Sequence, residues 1–236
     1  MQVSGLLSPA SWSSTGILYG FGLGLNQEIY KGYDLRVIPL PIIGYRSDNF
    51  RILGPFMSYD ALELSDIELT IQAAPRFQGF DDSDSYIFEN MADRKFSMDA
   101  GLGLTYEKRD WKISLSSMFD ILNRSGGYEA KANISRVFRR GPLFLEPRLS
   151  LSYLGSDHVD YYYGVKANEI NEFTSAYTGN SALNTTVGFS VSPPIFLGGF
   201  TSVALDYTWF DSSITDSPLV EDDTNVSARL LFSKFF

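Results

Sequence analysis

The chain has 236 residues, a formal net charge of −9 and no cysteine, which excludes disulfides and thiolate metal sites. Its acidity argues against a nucleic-acid-binding surface, which needs clustered Lys and Arg, and no apolar run reaches the ~18 residues that a membrane-spanning helix needs. Aromatic residues make up 15% of the sequence, and high aromatic content with average hydropathy is typical of a barrel that is apolar only on its outside.

The N-terminus, residues 1–13, lacks the basic start and the apolar core of a signal peptide. We therefore expect a mature chain, in which Met1 is an added start. Residues 1–13 are then an N-terminal periplasmic segment, and residues 14–236 are a single transmembrane β-barrel domain.

Apolar and polar side chains alternate with a period of two along most of the chain, which is the pattern of strands with one apolar and one polar face. The segments are about ten residues long, near the ~9–11 residues that a tilted strand needs to cross a bilayer. No segment shows a helical period. In chain order the predicted strands cover residues 16–25, 37–47, 50–59, 67–76, 96–107, 111–119, 128–134, 144–153, 183–191, 201–209 and, with looser alternation, 226–236.

A soluble β-sandwich or lipocalin-like barrel would also alternate, but three features favour the membrane. The apolar faces end in aromatic residues, as expected if these residues form the aromatic girdles at the water interfaces of a membrane barrel. The opposite faces carry charges of both signs, which suit a wet lumen rather than a packed core. The chain ends on Phe236, which resembles the terminal sorting signal of bacterial outer-membrane barrels. Together they predict the outer membrane of a Gram-negative bacterium.

The predicted strand count depends on residues 67–76. If this segment lies within an external excursion, ten strands remain. Its alternation favours a pairing with a short strand near residues 86–89, across the acidic turn at residues 81–84, which makes twelve. We predict an all-β, antiparallel transmembrane β-barrel of twelve strands, with ten as the alternative.

The links between predicted strands fall into two length classes. In outer-membrane barrels short turns face the periplasm and long loops face outside, which sets the predicted orientation. The short links are residues 47–49, 108–110, 139–142 and 193–199, and the long links are residues 26–35, 77–95, 155–180 and 211–224.

Pro39 and Pro41 stand two residues apart on one predicted strand, although proline cannot donate to a strand ladder. Residues two apart point their backbone groups toward the same neighbouring strand, so both missing donors fall on one seam. We predict a locally weakened seam beside the second strand, and the alternative is a harmless bulge. The next predicted strand carries a further proline, Pro55.

The polar faces of the strands carry charged residues that can pair across neighbouring strands. If they pair fully, the lumen is closed by ion pairs; if they leave a gap, it is a narrow pore. A lumen of twelve strands allows either outcome, because barrel interiors widen with strand number. We favour a mostly closed lumen. The predicted lumen-lining residues are Asp99, Glu107, Glu129, Lys131, Glu146, Arg148, Asp206 and Arg229.

Residues 20–52 resemble the start of the MipA/OmpV family of outer-membrane proteins, whose pattern is a Gly-rich first strand, Y-x-G-x-D, P-L-P, a Tyr strand and an acid-Asn turn. The matching positions are Tyr30, Gly32, Asp34, Pro39, Leu40, Pro41, Tyr45, Asp48, Asn49 and Phe50. Weaker matches are the acidic run at residues 81–84 with Met91, Asp93 and Arg94, and residues 161–165. Asn90 stands where the family usually has glycine.

Residues suited to catalysis or metal binding are sparse. The single histidine, His158, follows Ser156 and Asp157, and adjacent side chains splay apart and cannot form a triad. Asp160 could orient His158, but we expect an exposed loop histidine and no enzyme activity. Acidic runs supply the hard oxygens that calcium prefers, without the glycine and final glutamate of an EF-hand. We expect them to be solvated loops that could join divalent ions bridging lipopolysaccharide: Asp81, Asp82 and Asp84, and Glu221, Asp222 and Asp223.

Three functions are carried forward as hypotheses. The resemblance implies a non-enzymatic scaffold that links the outer membrane to a periplasmic murein transglycosylase or synthase. The acidic balance leaves open a narrow channel or binding protein for cationic solutes. OmpV-type members are regarded as adhesins, and residues 155–180 and 211–224 would serve that role here. Outer-membrane lipid and lipopolysaccharide are further expected partners; no cofactor and no nucleic acid is expected.

Overall fold

The computed structural model describes residues 15–193 and 198–236. The predicted periplasmic segment, residues 1–13, therefore lies outside the described residues, as does part of the predicted turn at residues 193–199. The strands are β1 (Gly16–Gln27), β2 (Leu35–Arg46), β3 (Phe50–Leu53), β4 (Phe56–Leu64), β5 (Ile67–Arg76), β6 (Ser97–Lys108), β7 (Trp111–Asp120), β8 (Tyr128–Arg136), β9 (Phe138–Arg140), β10 (Leu143–Leu154), β11 (Ala182–Ser192), β12 (Phe200–Trp209) and β13 (Thr224–Phe235). The helices are α1 (Ser156–Tyr163) and α2 (Ser212–Thr215).

The strands form one closed antiparallel barrel. Consecutive strands pair from β1 to β8, β13 pairs with β1, and β10 pairs with β11. β8 and β9 both pair with β10 and are separated by Val137 alone, so they count as one interrupted strand. The barrel therefore has twelve strands, which confirms the predicted fold class.

Side chains alternate between the two faces of the wall as the sequence predicts. In β12, Leu205 is 54% exposed and the neighbouring Asp206 is 8% exposed. In β2, Ile43 is 77% exposed and Ile42 is 4% exposed. The outward faces together form an apolar band far larger than the patches that soluble monomers leave exposed, and this band is the lipid-facing surface.

Two predicted strands differ in the structure, and the helices α1 and α2 lie in segments predicted as loops. Residues 50–59, predicted as one strand, form β3 and the start of β4, separated by Gly54 and Pro55. Gly54 has a φ of +59°, and a two-residue hairpin turn favours glycine at its first position because that position needs positive φ. This hairpin adds the one strand that completes the twelve.

The predicted short strand at residues 86–89 is wrong. Tyr86–Phe88 is a single 3-10 turn capped by Ser85, whose hydroxyl accepts a hydrogen bond from the Ile87 N–H. Burial of two of its three side chains among the loops overrides the local strand pattern. The strand that it was expected to pair with, β5, lies between β4 and β6.

Apart from the turn at Gly54 and Pro55, which lies within the wall, short turns and long loops lie at opposite ends of the barrel, named here the short-turn end and the long-loop end. By the rule for outer-membrane barrels, the short-turn end faces the periplasm. The helices lie in the loops. Within the described ranges, no helix is long and apolar enough to cross a membrane. The loops of the long-loop end are residues 28–34, 77–96, 121–127, 155–181 and 210–223.

Candidate functional site

The long loops pack together over one mouth of the barrel into an apolar cluster, named here the cap. Hydrogen bonds join its loops: the Tyr30 hydroxyl donates to the Tyr162 carbonyl at 3.0 Å, and the Ser217 hydroxyl donates to the Tyr163 carbonyl at 2.6 Å. Apolar burial on this scale holds the loops in place over the lumen. The buried side chains of the cap are Ile29, Tyr30, Phe80, Ile87, Phe88, Met91, Leu154, Val159, Tyr162, Tyr163, Val165, Ala182, Ile214, Leu219 and Val220.

A buried ion pair links two loops of the cap. Arg94 donates to both carboxylate oxygens of Glu169, at 3.0 and 2.7 Å, and both side chains are 3% exposed. Burial opposes the charge on Glu169, yet hydrogen bonds from Arg94 and from the N–H groups of Lys166 and Ala92 outweigh it and hold the pKa of Glu169 at about 2. Arg94 also lies over the Phe80 ring at 5.5 Å. This pair fixes the loop of Arg94 to the loop of Glu169.

His158 is buried rather than exposed, which corrects the expectation of a loop histidine. It lies in α1 at 2% exposure, with its ring 4.9 Å from that of Tyr162. Burial and the positive charge of Arg76 lower the pKa of His158 to about 3, so the imidazole is neutral. Its Nε2 atom has no hydrogen-bond partner among the described residues.

Below the cap, charged side chains of the wall form two clusters. In the first, Arg76 contacts Asp99 and lies 2.9 Å from Glu129, which also accepts from Lys131 at 3.1 Å. These four residues come from β5, β6 and β8, so the cluster spans several neighbouring strands rather than one seam.

The second cluster lies on the opposite wall. Asp206 accepts from the Arg148 Nε atom at 3.0 Å and from Arg229 at 2.9 Å. Gly188 makes room for it, because a Cβ atom there would lie 2.0 Å from an Asp206 oxygen. Each charge in the two clusters thus has an opposite charge in contact.

The structure places the predicted lumen residues in three groups. Asp99, Glu129, Lys131, Asp206 and Arg229 line a cavity of about 320 Å³ beneath the cap. Arg148 is buried against Asp206, and Glu146 accepts from the Ser135 hydroxyl at 2.7 Å. Glu107 lies nearer the short-turn end, 2.8 Å from Lys112.

Sequence reasoning missed Arg76, the centre of the first cluster, and Glu169, the partner of Arg94. Arg76 could have been found, because it continues the lumen-facing alternation of β5. Glu169 follows Arg94 by 75 residues within a long loop, and no local pattern marks it.

The short-turn end carries a basic and aromatic surface, named here the rim platform. Trp111 pairs with Arg136 across β7 and β8, and the Val137 N–H donates to the Asp110 carbonyl, which joins the β6–β7 turn to the strand formed by β8 and β9. Arg136 lies over the rings of Trp111 and Phe138, at 5.3 and 4.8 Å. The rim platform consists of Lys108, Arg109, Trp111, Arg136, Phe138, Arg139, Arg140 and Phe144, most of them exposed.

The family-motif residues spread from the cap to the short-turn end. Tyr30 is buried in the cap, and Gly32 has a φ of +67°, with Ser85 Oγ only 2.7 Å from where a Cβ would lie. The Asp34 carbonyl accepts from the Glu28 N–H. The others lie on or beside strands: Pro39, Leu40, Pro41 and Tyr45 in β2, and Asp48, Asn49 and Phe50 at the following turn.

The acidic loops show no arrangement for a metal. The Asp81 N–H donates to Asp84 within a local turn, while Asp82 is exposed. Across residues 15–193 and 198–236, no group of three or more His, Asp or Glu side chains is placed to hold an ion. The C-terminal Phe236 is 88% exposed, and its ring lies 4.7 Å from that of Tyr19.

Comparison with known proteins gives consistent matches. A sequence model of one family, described as MltA-interacting protein MipA, matches residues 19–236. The MltA-interacting protein of Escherichia coli strain K12 is 28% identical over 206 residues, covering 86% of this chain and 83% of that protein. YiaT of the same strain, named as an outer membrane protein, is 25% identical over 215 residues, covering 90% and 87%. Outer membrane protein OmpV of Vibrio cholerae is 29% identical over 142 residues, covering 60% and 55%. The chain belongs to the MipA family and is an outer-membrane β-barrel protein.

Proposed function

We propose that this chain is a non-enzymatic scaffold that docks a periplasmic murein transglycosylase, or a synthase, on its rim platform. The observation that carries the proposal is the concentration of five cations and several exposed aromatic rings on one rim of a chain whose net charge is −9. The name of one relative, MltA-interacting protein, supports this class of partner. In the same proposal, membrane lipid and lipopolysaccharide contact the exposed apolar band.

The rim platform has the chemistry of a docking surface for an acidic partner. Complementary charge speeds association and fixes orientation, while Trp and Arg are the residues that most often dominate binding energy. Arg136 is already held between Trp111 and Phe138, so fewer side-chain rotamers are lost when the partner binds.

The cap and the paired lumen charges argue against an open channel. We therefore expect no stable single-channel steps from the purified protein in planar bilayers. Persistent steps would favour the channel over the scaffold. The loops considered for an adhesin, residues 155–180 and 211–224, bury much of their apolar surface in the cap.

Charge reversal on the rim platform tests the scaffold. The double variant Arg139→Glu with Arg140→Glu should weaken binding of a purified MltA-type murein transglycosylase by at least about tenfold, which is ~1.4 kcal/mol. Surface plasmon resonance with the barrel in nanodiscs measures this. The affinity of the unsubstituted chain should also fall with added salt.

A matched control carries the same charge change at the other end of the barrel. Arg124→Glu with Lys166→Glu replaces two exposed cations of the long-loop end and should leave the affinity unchanged. Equal affinities for both double variants would contradict docking on the rim platform.

A further inference from the structure

The barrel wall is interrupted between β2 and β5. The β3–β4 hairpin that separates them turns back at Gly54 and Pro55, so β3 has only four residues. β3 pairs with residues 44–46 of β2, and β4 pairs with β5 no further than Ala73. Beyond the turn, no strand pairing in the described chain joins β2 to β5. We name this opening the lateral slot.

The backbone of β2 is adapted to the open edge. The Glu28 N–H donates to Asp34 O, and the Gly54 N–H donates to Ile43 O, so even-numbered residues of β2 bond to β1 and odd-numbered ones face the slot. The missing donors of Pro39 and Pro41 therefore both fall on the slot. The sequence-based hypothesis placed them on one seam, and this seam is the unpaired one.

The facing edge, β5, shows the same adaptation. The Glu107 N–H donates to Asp66 O, so even-numbered residues of β5 bond to β6 and odd-numbered ones face β4 or the slot. Pro75 is odd-numbered, and its missing donor also falls on the slot. Three prolines thus remove backbone donors where no strand could accept them, and unpaired donors in a bilayer are costly.

The slot opens at the level of the lipid hydrocarbon. Below, it ends at the Gly54 turn; above, Arg36 donates to the Gly79 carbonyl and bridges its two sides. From Arg36 to Ile43 it runs roughly 23 Å, at ~3.3 Å per residue. The outward side chains of β2 along it are apolar and exposed, including Val37 at 53% and Ile43 at 77%.

Behind the slot, the lumen changes from apolar to polar. Leu40, Phe56 and Ala74 form a buried cluster, against which Ile38, Phe77 and Met118 pack. The cavity of about 320 Å³ reaches Ile38, Ala74, Pro75, Phe77 and Met118 on this side. Its volume lies in the range of small-molecule sites.

Polar atoms that line the same cavity offer hydrogen bonds without free charge. His158 Nε2 and Asp99 Oδ1 are buried with no hydrogen-bond partner in the described chain, and both residues line the cavity. The charges of both clusters are already ion-paired. An uncharged polar group fits here better than an ion, which would need a free counter-charge.

We propose that the lateral slot admits the apolar tail of a single-chain amphiphile from the outer leaflet, and that the uncharged head of this amphiphile lies by His158 and Asp99 in the cavity. The tail lies against the apolar cluster. A strand from another protein is disfavoured in the slot, because the prolines remove donors that such a strand would need.

Fluorescence quenching tests this in liposomes. The three tryptophans, at positions 12, 111 and 209, are replaced by Phe, and Met118→Trp places a reporter behind the slot. The probe is a monoacylglycerol with a 9,10-dibromostearoyl chain. We expect saturable quenching of this reporter, severalfold stronger than that of Ser190→Trp, which lies on the lumen face of β11 away from the slot.

A blocking variant and its matched control complete the test. Ala74→Phe, inside the slot, should abolish the saturable quenching, whereas Ala204→Phe, on the lumen face of β12 and outside the cavity, should leave it intact. Circular dichroism verifies that both fold. Quenching that is absent, unsaturable or equal for the two reporters overturns the proposal. Stronger quenching by dibromostearate than by the monoacylglycerol overturns the uncharged head.

Discussion

The two ends of this barrel use the same residue types in opposite ways. In the cap, Arg94 is enclosed with Glu169 and packed against Phe80, and its side chain is 3% exposed. On the rim platform, Arg136 also lies over aromatic rings, yet Arg139 and Arg140 beside it are exposed and form no ion pair within the described part of the chain. Buried pairs seal one end, while exposed cations leave the other available to a partner. A cation–aromatic contact alone therefore does not distinguish a sealed surface such as the cap from a docking surface such as the rim platform.

The largest expected effect is at the ion pair of the cap. Arg94→Ala leaves the Glu169 carboxylate buried without its partner, and we expect the cap to lose about 3–5 kcal/mol of stability. Hydrogen exchange of the cap amides in micelles measures this loss. Arg124→Ala, an exposed arginine at the same end, is the control, with a change within about 0.5 kcal/mol. Similar changes in both would mean that the cap does not depend on the pair.

Acid is expected to loosen the cap through His158. Its pKa in the folded protein, about 3, lies below the ordinary value of 6.5, so the unfolded chain takes up a proton first as pH falls and stability decreases. Between pH 6.5 and 4.5 the loss should be roughly 2–3 kcal/mol. Glu169, whose pKa is also lowered, adds to the loss only as pH falls below about 4.5 toward 2.

The groups that surround His158 and influence this titration are Arg76, Glu129 and Asp120. Near-ultraviolet circular dichroism of the cap tyrosines, followed against urea at several pH values, measures the loss. In His158→Gln, the dependence between pH 6.5 and 4.5 should disappear. A dependence that persists in this variant would assign it to another group.

The lateral slot sharpens the comparison, because it lies just beneath the sealed end. The amide of Val37 faces the slot, whereas the amide of Ile38 bonds to β1. We therefore expect the Val37 amide hydrogen to exchange at least about tenfold faster than that of Ile38, which corresponds to ~1.4 kcal/mol less protection. Amides of residues 201–209 in the continuous wall should resemble Ile38. NMR-detected exchange gives each rate, and equal protection of Val37 and Ile38 would mean that the edge is paired.

The smallest effect on stability is expected at the rim platform. Arg139→Ala with Arg140→Ala removes two exposed cations and should change the free energy of unfolding by no more than about 0.5 kcal/mol. Urea titration of the refolded barrel measures it. A larger loss would show that these arginines hold the short-turn end together, and binding data on charge-reversed variants would then need correction for stability.

Much of the barrel wall could be predicted from local pattern. The facing of Leu205 and Asp206 follows from alternation along one strand, and so do the lumen positions of Glu129 and Lys131. The hairpin at Gly54 and Pro55 was readable in principle, since glycine followed by proline in an apolar run indicates a turn. It was missed because the apolar residues on both sides continue as if in one strand.

The candidate sites were predictable only in part. The cations of the rim platform stand in short turns that the sequence marks, but their stacking on Trp111 and Phe138 depends on which strands pair. The pairing of Arg94 with Glu169 and the burial of His158 depend on loops that meet only after the barrel has closed.

The sequence by itself determined a membrane barrel with an apolar outside and a charged inside. Successive side chains of a strand point to opposite faces, so the face of each residue follows from its position in the local sequence. Only the tertiary structure decided that the loops form a sealed cap and that Pro39, Pro41 and Pro75 meet at one opening. Those features join residues far apart in the chain, and their contacts arise when strand closure brings the loops and edges together.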